Sequence, residues 1–209
     1  GPVYPDEFIT VAERTGSIQA LGAFVLEQAC REALNWPEDT KVSVNASAAQ
    51  LAVGDYVRVV ERTLKSTGFP ASRLTIELTE SMLMADATAA LAQMRRLKAM
   101  GVSIALDDFG TGYSSLQYLS KLPVDIIKID RAFVLDLERN KKAWSIIESM
   151  LTLAKGMGIA TCCEGIETAD QCQLLLNAGG NTAQGYYFGK PLSVEQFRDR
   201  LAERKRVAA

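Results

Sequence analysis

The sequence predicts an α/β fold made of parallel βαβ units, on three observations. Short apolar runs rich in Val, Ile and Leu recur along the chain and read as buried strands. Between them lie longer segments with apolar residues every three or four positions, the spacing of amphipathic helices. No linker, low-complexity tract or change of composition interrupts the alternation, so residues 1–209 are expected to form one domain. About six strands are counted, whereas a (β/α) barrel closes with eight. Because the chain opens on helices, the two remaining strands are expected before Gly1. An open doubly wound sheet of six strands is the alternative. Such a sheet normally carries a glycine-rich phosphate turn after its first strand, and Val44-Asn45-Ala46-Ser47 is not one.

Taken in order, Pro5 before Asp6-Glu7 suits the first turn of a helix reaching about Arg14, with Gly16 as its stop. Ser17 is placed to cap a helix over 18–34, with Ile18, Leu21, Val25, Ala29 and Ala33 as its stripe. Residues 41–44 alternate into a strand ending at Asn45. Residues 55–66 are helical, with Val57, Val60 and Leu64 on one face and Gly68 beyond the end. Residues 74–78 form a strand running into Glu77-Leu78-Thr79-Glu80. Asp86 caps a helix to Met100, and Gly101 ends it. The strand over 102–107 follows, then a short helix over 115–122 stopped by Pro123. Residues 125–129 are a strand containing Lys128 and followed by Asp130. A helix over 141–157 presents Ala143, Ile147, Met150, Ala154 and Met157 on one side. A strand over 159–163 ends at Glu164-Gly165, a helix covers 168–178, and a short strand over 181–184 ends at Gly185. Ser193 caps a last helix to about Arg206.

Composition narrows the function. At 48% hydrophobic residues and a formal charge of −2, the chain is an ordinary soluble globular one with no basic footprint for duplex nucleic acid. No apolar run reaches the roughly 18 residues of a membrane helix, and no signal peptide is present. Cys30, Cys162, Cys163 and Cys172 have neither zinc-finger spacing nor a disulfide framework and read as reduced thiols in a cytoplasmic setting. The chain has no histidine, which excludes His-based acid–base catalysis, serine–histidine triads and His-liganded zinc.

Asp107-Asp108 ends its apolar run and meets Phe109-Gly110-Thr111-Gly112-Tyr113-Ser114-Ser115 at once. Adjacent carboxylates repel unless a cation neutralises them, and oxygen donors of this kind suit hard divalent ions. Taken alone, the pair could be a solvated strand end. Polar residues recur, however, at the ends of the other strands: Asn45, Glu77 with Glu80, Lys128, Glu164 with Glu167, and Gln184. In a parallel barrel these ends open on one rim, where active sites lie. Several acids around one lysine point to one or two divalent cations acting on an anionic substrate, and phosphate esters suit that best.

The motifs Val44-Asn45-Ala46-Ser47, Glu77-Leu78-Thr79-Glu80, Asp107 to Leu116, Lys128-Ile129-Asp130, Glu164-Gly165-Ile166-Glu167 and Gln184-Gly185-Tyr186, with Pro123-Val124-Asp125 and Pro191-Leu192, resemble the EAL domain, the bacterial phosphodiesterase of cyclic di-GMP. The resemblance runs from Pro5 over nearly the whole chain. It implies a (β/α)8 TIM-like barrel, present here with about six of its eight strands. By position, Asn45, Glu77, Asp107 and Glu164 match the family's metal ligands, and Asp108 stands at the second metal. Lys128 matches the lysine that positions and activates the attacking water. Glu80 matches the acid that holds the loop after Asp108, and Glu167 and Gln184 match residues lining the substrate and water site. The resemblance implies two magnesium or manganese ions, opening of cyclic di-GMP to linear pGpG, and a homodimer whose contacts the loop over 109–115 couples to metal binding. It also implies a cytoplasmic domain, with regulatory domains and any membrane anchor elsewhere on the parent chain.

The Glu-Ala-Leu motif that names the family is absent and is expected upstream of Gly1, so this stretch alone is expected to bind metal and hydrolyse substrate weakly. Two other functions compete: a cyclic di-GMP receptor or scaffold that does not cleave, and a protein-interaction module with no nucleotide affinity. Cys162-Cys163 departs from the family's small or aliphatic residues and is expected to be core.

Overall fold

A computed structural model of the chain describes residues 3–52, 55–80, 87–111, 119–135, 137 and 140–207. Helix α1 (Pro5–Thr15) starts on Pro5 and is closed by Gly16. Helix α2 (Ile18–Ala33) departs from its expected stripe. Its buried face steps through Ile18, Leu26, Cys30 and Ala33, and Val25 is exposed. Gly22 belongs to this face and abuts the Gln50 amide. The stripe therefore passes through a residue with no side chain, which hides it from hydrophobic periodicity. Ser17 does not cap α2. Its backbone is already helical, and its Oγ accepts a bond from Thr15 Oγ1 at 3.0 Å.

The remaining elements are β1 (Val42–Asn45), α3 (Ala48–Ala52), α4 (Tyr56–Thr67), β2 (Leu74–Thr79), α5 (Ala87–Ala99), β3 (Ser103–Phe109), β4 (Ile126–Ile129), α6 (Arg131–Val134), α7 (Lys141–Gly156), β5 (Ala160–Cys163), α8 (Ala169–Asn177), β6 (Thr182–Ala183) and α9 (Val194–Val207). Asp55, Thr168 and Ser193 cap the helices that follow them. The short helices α3 and α6 have too few residues to show a period. The expected cap Asp86 and the first residues of the expected helix over 115–122 lie outside the described residues.

All six strands pair in parallel, in the order β1-β2-β3-β4-β5-β6. Every crossover joins neighbouring strands and steps the same way; with the right-handed sense that parallel crossovers take, this puts the helices on one face and curls the sheet into half a barrel. A doubly wound sheet reverses its direction at a switch point. No reversal occurs among the described strands, which excludes that alternative.

Register decides which residues share a face. Asn45 pairs with Glu77, Thr79 with Asp107, Lys128 with Cys162, and Cys162 with Thr182. Side chains alternate along a strand, so Asn45, Glu77, Asp107, Lys128 and Cys162 lie on the concave face. Glu164 and Gln184, just past β5 and β6, continue it. Ile76, Leu78, Ile104, Leu106, Ile127 and Cys163 point the other way into the core beneath the helices. The adjacent thiols of Cys162 and Cys163 therefore sit on opposite faces, and burial pushes the Cys163 thiol up to about 12.

The N-terminal ends of the strands are tied separately. Arg73 donates from Nε to Thr40 O at 2.8 Å and from Nη2 to Ala33 O at 2.9 Å and Pro37 O at 3.0 Å, with its guanidinium 5.1 Å from the Phe69 ring centroid. It closes the end of α2 and anchors the connection to β2. Asp125 accepts from Ile104 N–H at 2.8 Å and pairs with Lys98. Truncating Arg73 to Ala removes three side-chain hydrogen bonds, although Ala33 O and Pro37 O keep backbone donors in Trp36 N–H and Thr40 N–H, and is expected to cost about 3 kcal/mol in urea denaturation. A loss below about 1 kcal/mol would contradict the anchoring role. No helix among the described residues is long and apolar enough to cross a membrane.

Candidate active site

Four successive strands deliver charge to one point. Lys128 Nζ lies 2.6 Å from Glu77 Oε2, 2.7 Å from Glu164 Oε1 and 3.0 Å from Asp107 Oδ1. None of these four side chains is more than 15% exposed. The Gln184 amide donates to Glu164 Oε1 at 2.6 Å. The main chain supplies the spacing: apolar residues fill the helix-facing positions, so every second residue faces inward, and on β1 to β4 the inward row ends in polar residues.

Asp108 lies within an irregularity in the β3–β4 register between Leu106 and Phe109 and adopts φ 54°, the left-handed region. A bulge of this kind re-aims side chains at a strand end. The Asp108 N–H donates to Asp107 Oδ1 at 3.0 Å. Glu80, one residue past β2, is buried and accepts from Gly110 N–H at 3.3 Å. Its other oxygen is buried with no hydrogen-bond partner among the described residues. Thr111 N–H and Oγ1 donate to Asp108 O at 3.2 and 2.8 Å, turning the chain away. Gly112, Tyr113, Ser114 and Ser115 lie outside the described residues.

Thus Glu77, Asp107, Lys128, Glu164 and Gln184 are joined by direct contacts, Asp108 by sequence and charge, and Glu80 by the loop it holds. Asn45 stands beside Glu77 in register and is exposed. Glu167 is exposed too; its backbone N–H is bonded to the buried Gln171. Sequence reasoning passed over Gln171. Its signal was the Thr168-x-x-Gln171 spacing of a capping box.

Electrostatics shows a shortage of positive charge. Burial opposes the Lys128 charge, but the Glu164 and Glu77 carboxylates more than offset it and hold the ammonium above its ordinary value. Glu164 is nonetheless raised, first by burial and then by Asp107 and Glu77, against the pull of Lys128. Both partners rise, Lys128 because two carboxylates bond it against the cost of burial, and Glu164 because burial and its acidic neighbours outweigh the pull of that one ammonium. Asp108 is raised by burial and by Asp107 and Asp130. With the ammonium between the carboxylates, no three His, Cys, Asp or Glu side chains among the described residues form a group that could hold an ion as they stand.

The EAL domain family model matches residues 1–191. The bifunctional diguanylate cyclase/cyclic di-GMP phosphodiesterase MucR of Pseudomonas aeruginosa is 39% identical over 200 residues, which are 94% of this chain and 29% of MucR. A signaling protein of Caulobacter vibrioides is 43% identical over 195 residues, covering 93% of this chain and 24% of its own length. The chain therefore spans about a quarter of the curated relatives it matches. Among solved structures, the PaMucR phosphodiesterase in complex with c-di-GMP superposes with a TM-score of 0.88 and 38% identity over 93% of this chain and 81% of that one. Klebsiella pneumoniae BlrP1 with manganese and cyclic di-GMP gives 0.74 and 26% over 83% and 44%. With residues 1–191 matched by the family model and the half-barrel shared with these neighbours, the chain belongs to the EAL domain family.

Proposed function

We propose that this chain carries a divalent-metal-dependent phosphodiesterase site that hydrolyses cyclic di-GMP to linear pGpG. The observation that carries the reading is the single ammonium shared by carboxylates from β2, β3 and the end of β5. The donor chemistry fits hard divalent ions such as magnesium or manganese: every candidate ligand is a carboxylate or amide oxygen, and Glu164 and Asp108 are raised by burial and by the carboxylates beside them. Asn45, Glu77, Asp107, Asp108 and Glu164 would hold two ions, which when bound lower the pKa of water and stabilise charge at phosphorus.

The protein's own groups do the rest. Lys128 keeps three carboxylates in register and can orient the attacking water by hydrogen bonding. Gln184 fixes the Glu164 oxygen it donates to and, with Glu167, lines the substrate side. Glu80 holds the loop after Asp108 through Gly110. Water's oxygen bonds to phosphorus, one phosphorus–ribose oxygen bond breaks, and the departing oxygen takes up a proton. The same loop would transmit contacts with a second copy of the chain, and the greater length of the relatives supports regulatory domains elsewhere on the parent.

A second reading, a receptor that binds cyclic di-GMP without cleaving it, is favoured by the seat of Lys128 among the very carboxylates an ion would need. The discriminating experiment incubates full-length protein with cyclic di-GMP and magnesium or manganese, follows products by chromatography, and measures affinity by calorimetry. Formation of pGpG is the expected result. Binding with no product under either ion selects the receptor, and neither binding nor product defeats both readings.

A further inference from the structure

Gln171, 5% exposed, stands in the first turn of α8, and none of the chemistry above uses it. Its Oε1 accepts two backbone bonds, from Glu167 N–H at 2.8 Å and Thr168 N–H at 3.2 Å. Its own N–H donates to Thr168 Oγ1 at 3.1 Å, and its Nε2 reaches Val134 O on α6 at 3.5 Å. A capping box accounts for the two Thr168 bonds. It does not account for the Glu167 bond or for the reach to α6.

The turn over 164–167 is closed in on its other sides as well. Ile166 N–H donates to Gln184 O at 3.1 Å, and Tyr187 N–H donates to Ile166 O at 2.9 Å. A Cβ at Gly185 would run into the Ile166 backbone, and one at Gly165, where φ is +72°, would run into Arg131 at the start of α6. The turn is therefore packed between β6 and α6, and Gln171 bonds both the turn and α6. Helix α6 follows β4 directly through Asp130, so this amide ties the strand bearing Lys128 to the turn bearing Glu164 and Glu167.

We infer that Gln171 is a positioning residue that holds Glu164 and Glu167 against Lys128, an inference that rests on the phosphodiesterase reading. Its chemistry is specific. A neutral amide can accept twice and donate once. Glutamate keeps the acceptor but sets a carboxylate against the Val134 carbonyl, leucine loses both functions, and asparagine is one methylene too short to serve both ends.

The test compares Gln171→Leu, Gln171→Asn and Gln171→Glu in the full-length protein by melting temperature, by kcat and KM for cyclic di-GMP, by calorimetric manganese affinity, and by amide exchange at Glu167 and Thr168. The Leu and Asn variants are expected to lose kcat by about 30-fold with KM within about threefold. Exchange at Glu167 and Thr168 should speed up at least tenfold in these two variants while β2 amides stay protected, and the Glu variant, which keeps both acceptor bonds but loses the tie to Val134, should fall between them and wild type in kcat. Should Leu fail to fold, Asn carries the same expectation. A lowered melting temperature with wild-type kcat, or unchanged exchange at Glu167, overturns the inference. If wild type itself yields no pGpG, the phosphodiesterase reading fails. Exchange and manganese affinity then decide: a tenfold loss of affinity in the Asn variant supports the positioning role, and unchanged affinity overturns it.

Discussion

Lys128→Met is expected to destabilise the metal-free protein by about 3–5 kcal/mol at neutral pH, the usual cost of removing one partner from a buried ion pair. Methionine nearly fills the lysine stem but supplies no charge, so Glu77, Asp107 and Glu164 would face one another across the gap the ammonium now spans. The folded-state pKa of Glu164, already raised by burial and its acidic neighbours, would rise further. The sign follows from proton binding. A carboxyl whose pKa is higher folded than unfolded holds its proton longer in the folded state, so stability is greatest at low pH. It falls as pH climbs from about 4.3, the unfolded value, through the folded one. Urea denaturation should therefore show a Lys128→Met deficit that shrinks between neutral pH and pH 5. Manganese should raise the variant's melting temperature more than it raises that of wild type, because a divalent ion replaces the lost charge. A constant deficit across that pH range would contradict the shared-cation account.

Asp107→Asn is expected to reduce turnover by on the order of a thousandfold or more while leaving the fold intact. The amide keeps the shape of the carboxylate. Its oxygen can still accept from Asp108 N–H and face Lys128, so the two contacts recorded for Asp107 Oδ1 survive. What disappears is one negative charge beside Asp108, whose carboxyl Asp107 helps to push up, and with it a strong anionic donor for an ion. The melting temperature should hold or rise slightly. Turnover and thermal denaturation on the same preparation check both halves. Activity within tenfold of wild type would defeat the assignment of Asp107 as a metal ligand.

Much of this was legible because each strand is short, apolar and ended by a polar residue. Residues 74–78 and 102–107 show that pattern, and β2 and β3 formed there with Glu77 and Asp107 at their ends. The half-barrel was legible only indirectly, from the missing glycine-rich turn at Val44-Asn45-Ala46-Ser47 and from the shared motifs, because which strand lies beside which leaves no record in local sequence. The true face of α2, where Gly22 leaves room for Gln50, was not legible. The convergence of acids could be inferred from their recurrence. That one lysine would touch three of them could not, because its reach depends on the curl of the sheet. Cys162 and Cys163 were ambiguous for a simpler reason: alternation says that one faces in, and only register with Lys128 says which.

Arg73 and the Asp125–Lys98 pair brace the opposite end of the strands from the acids. That separation gives the domain room for evolutionary drift. Exposed rim residues such as Asn45 and Glu167 can be exchanged to retune what is recognised, while the brace keeps the scaffold standing through each trial. A combinatorial library confined to such rim positions should accordingly yield mostly folded members, whereas one directed at Arg73 and Asp125 should yield few.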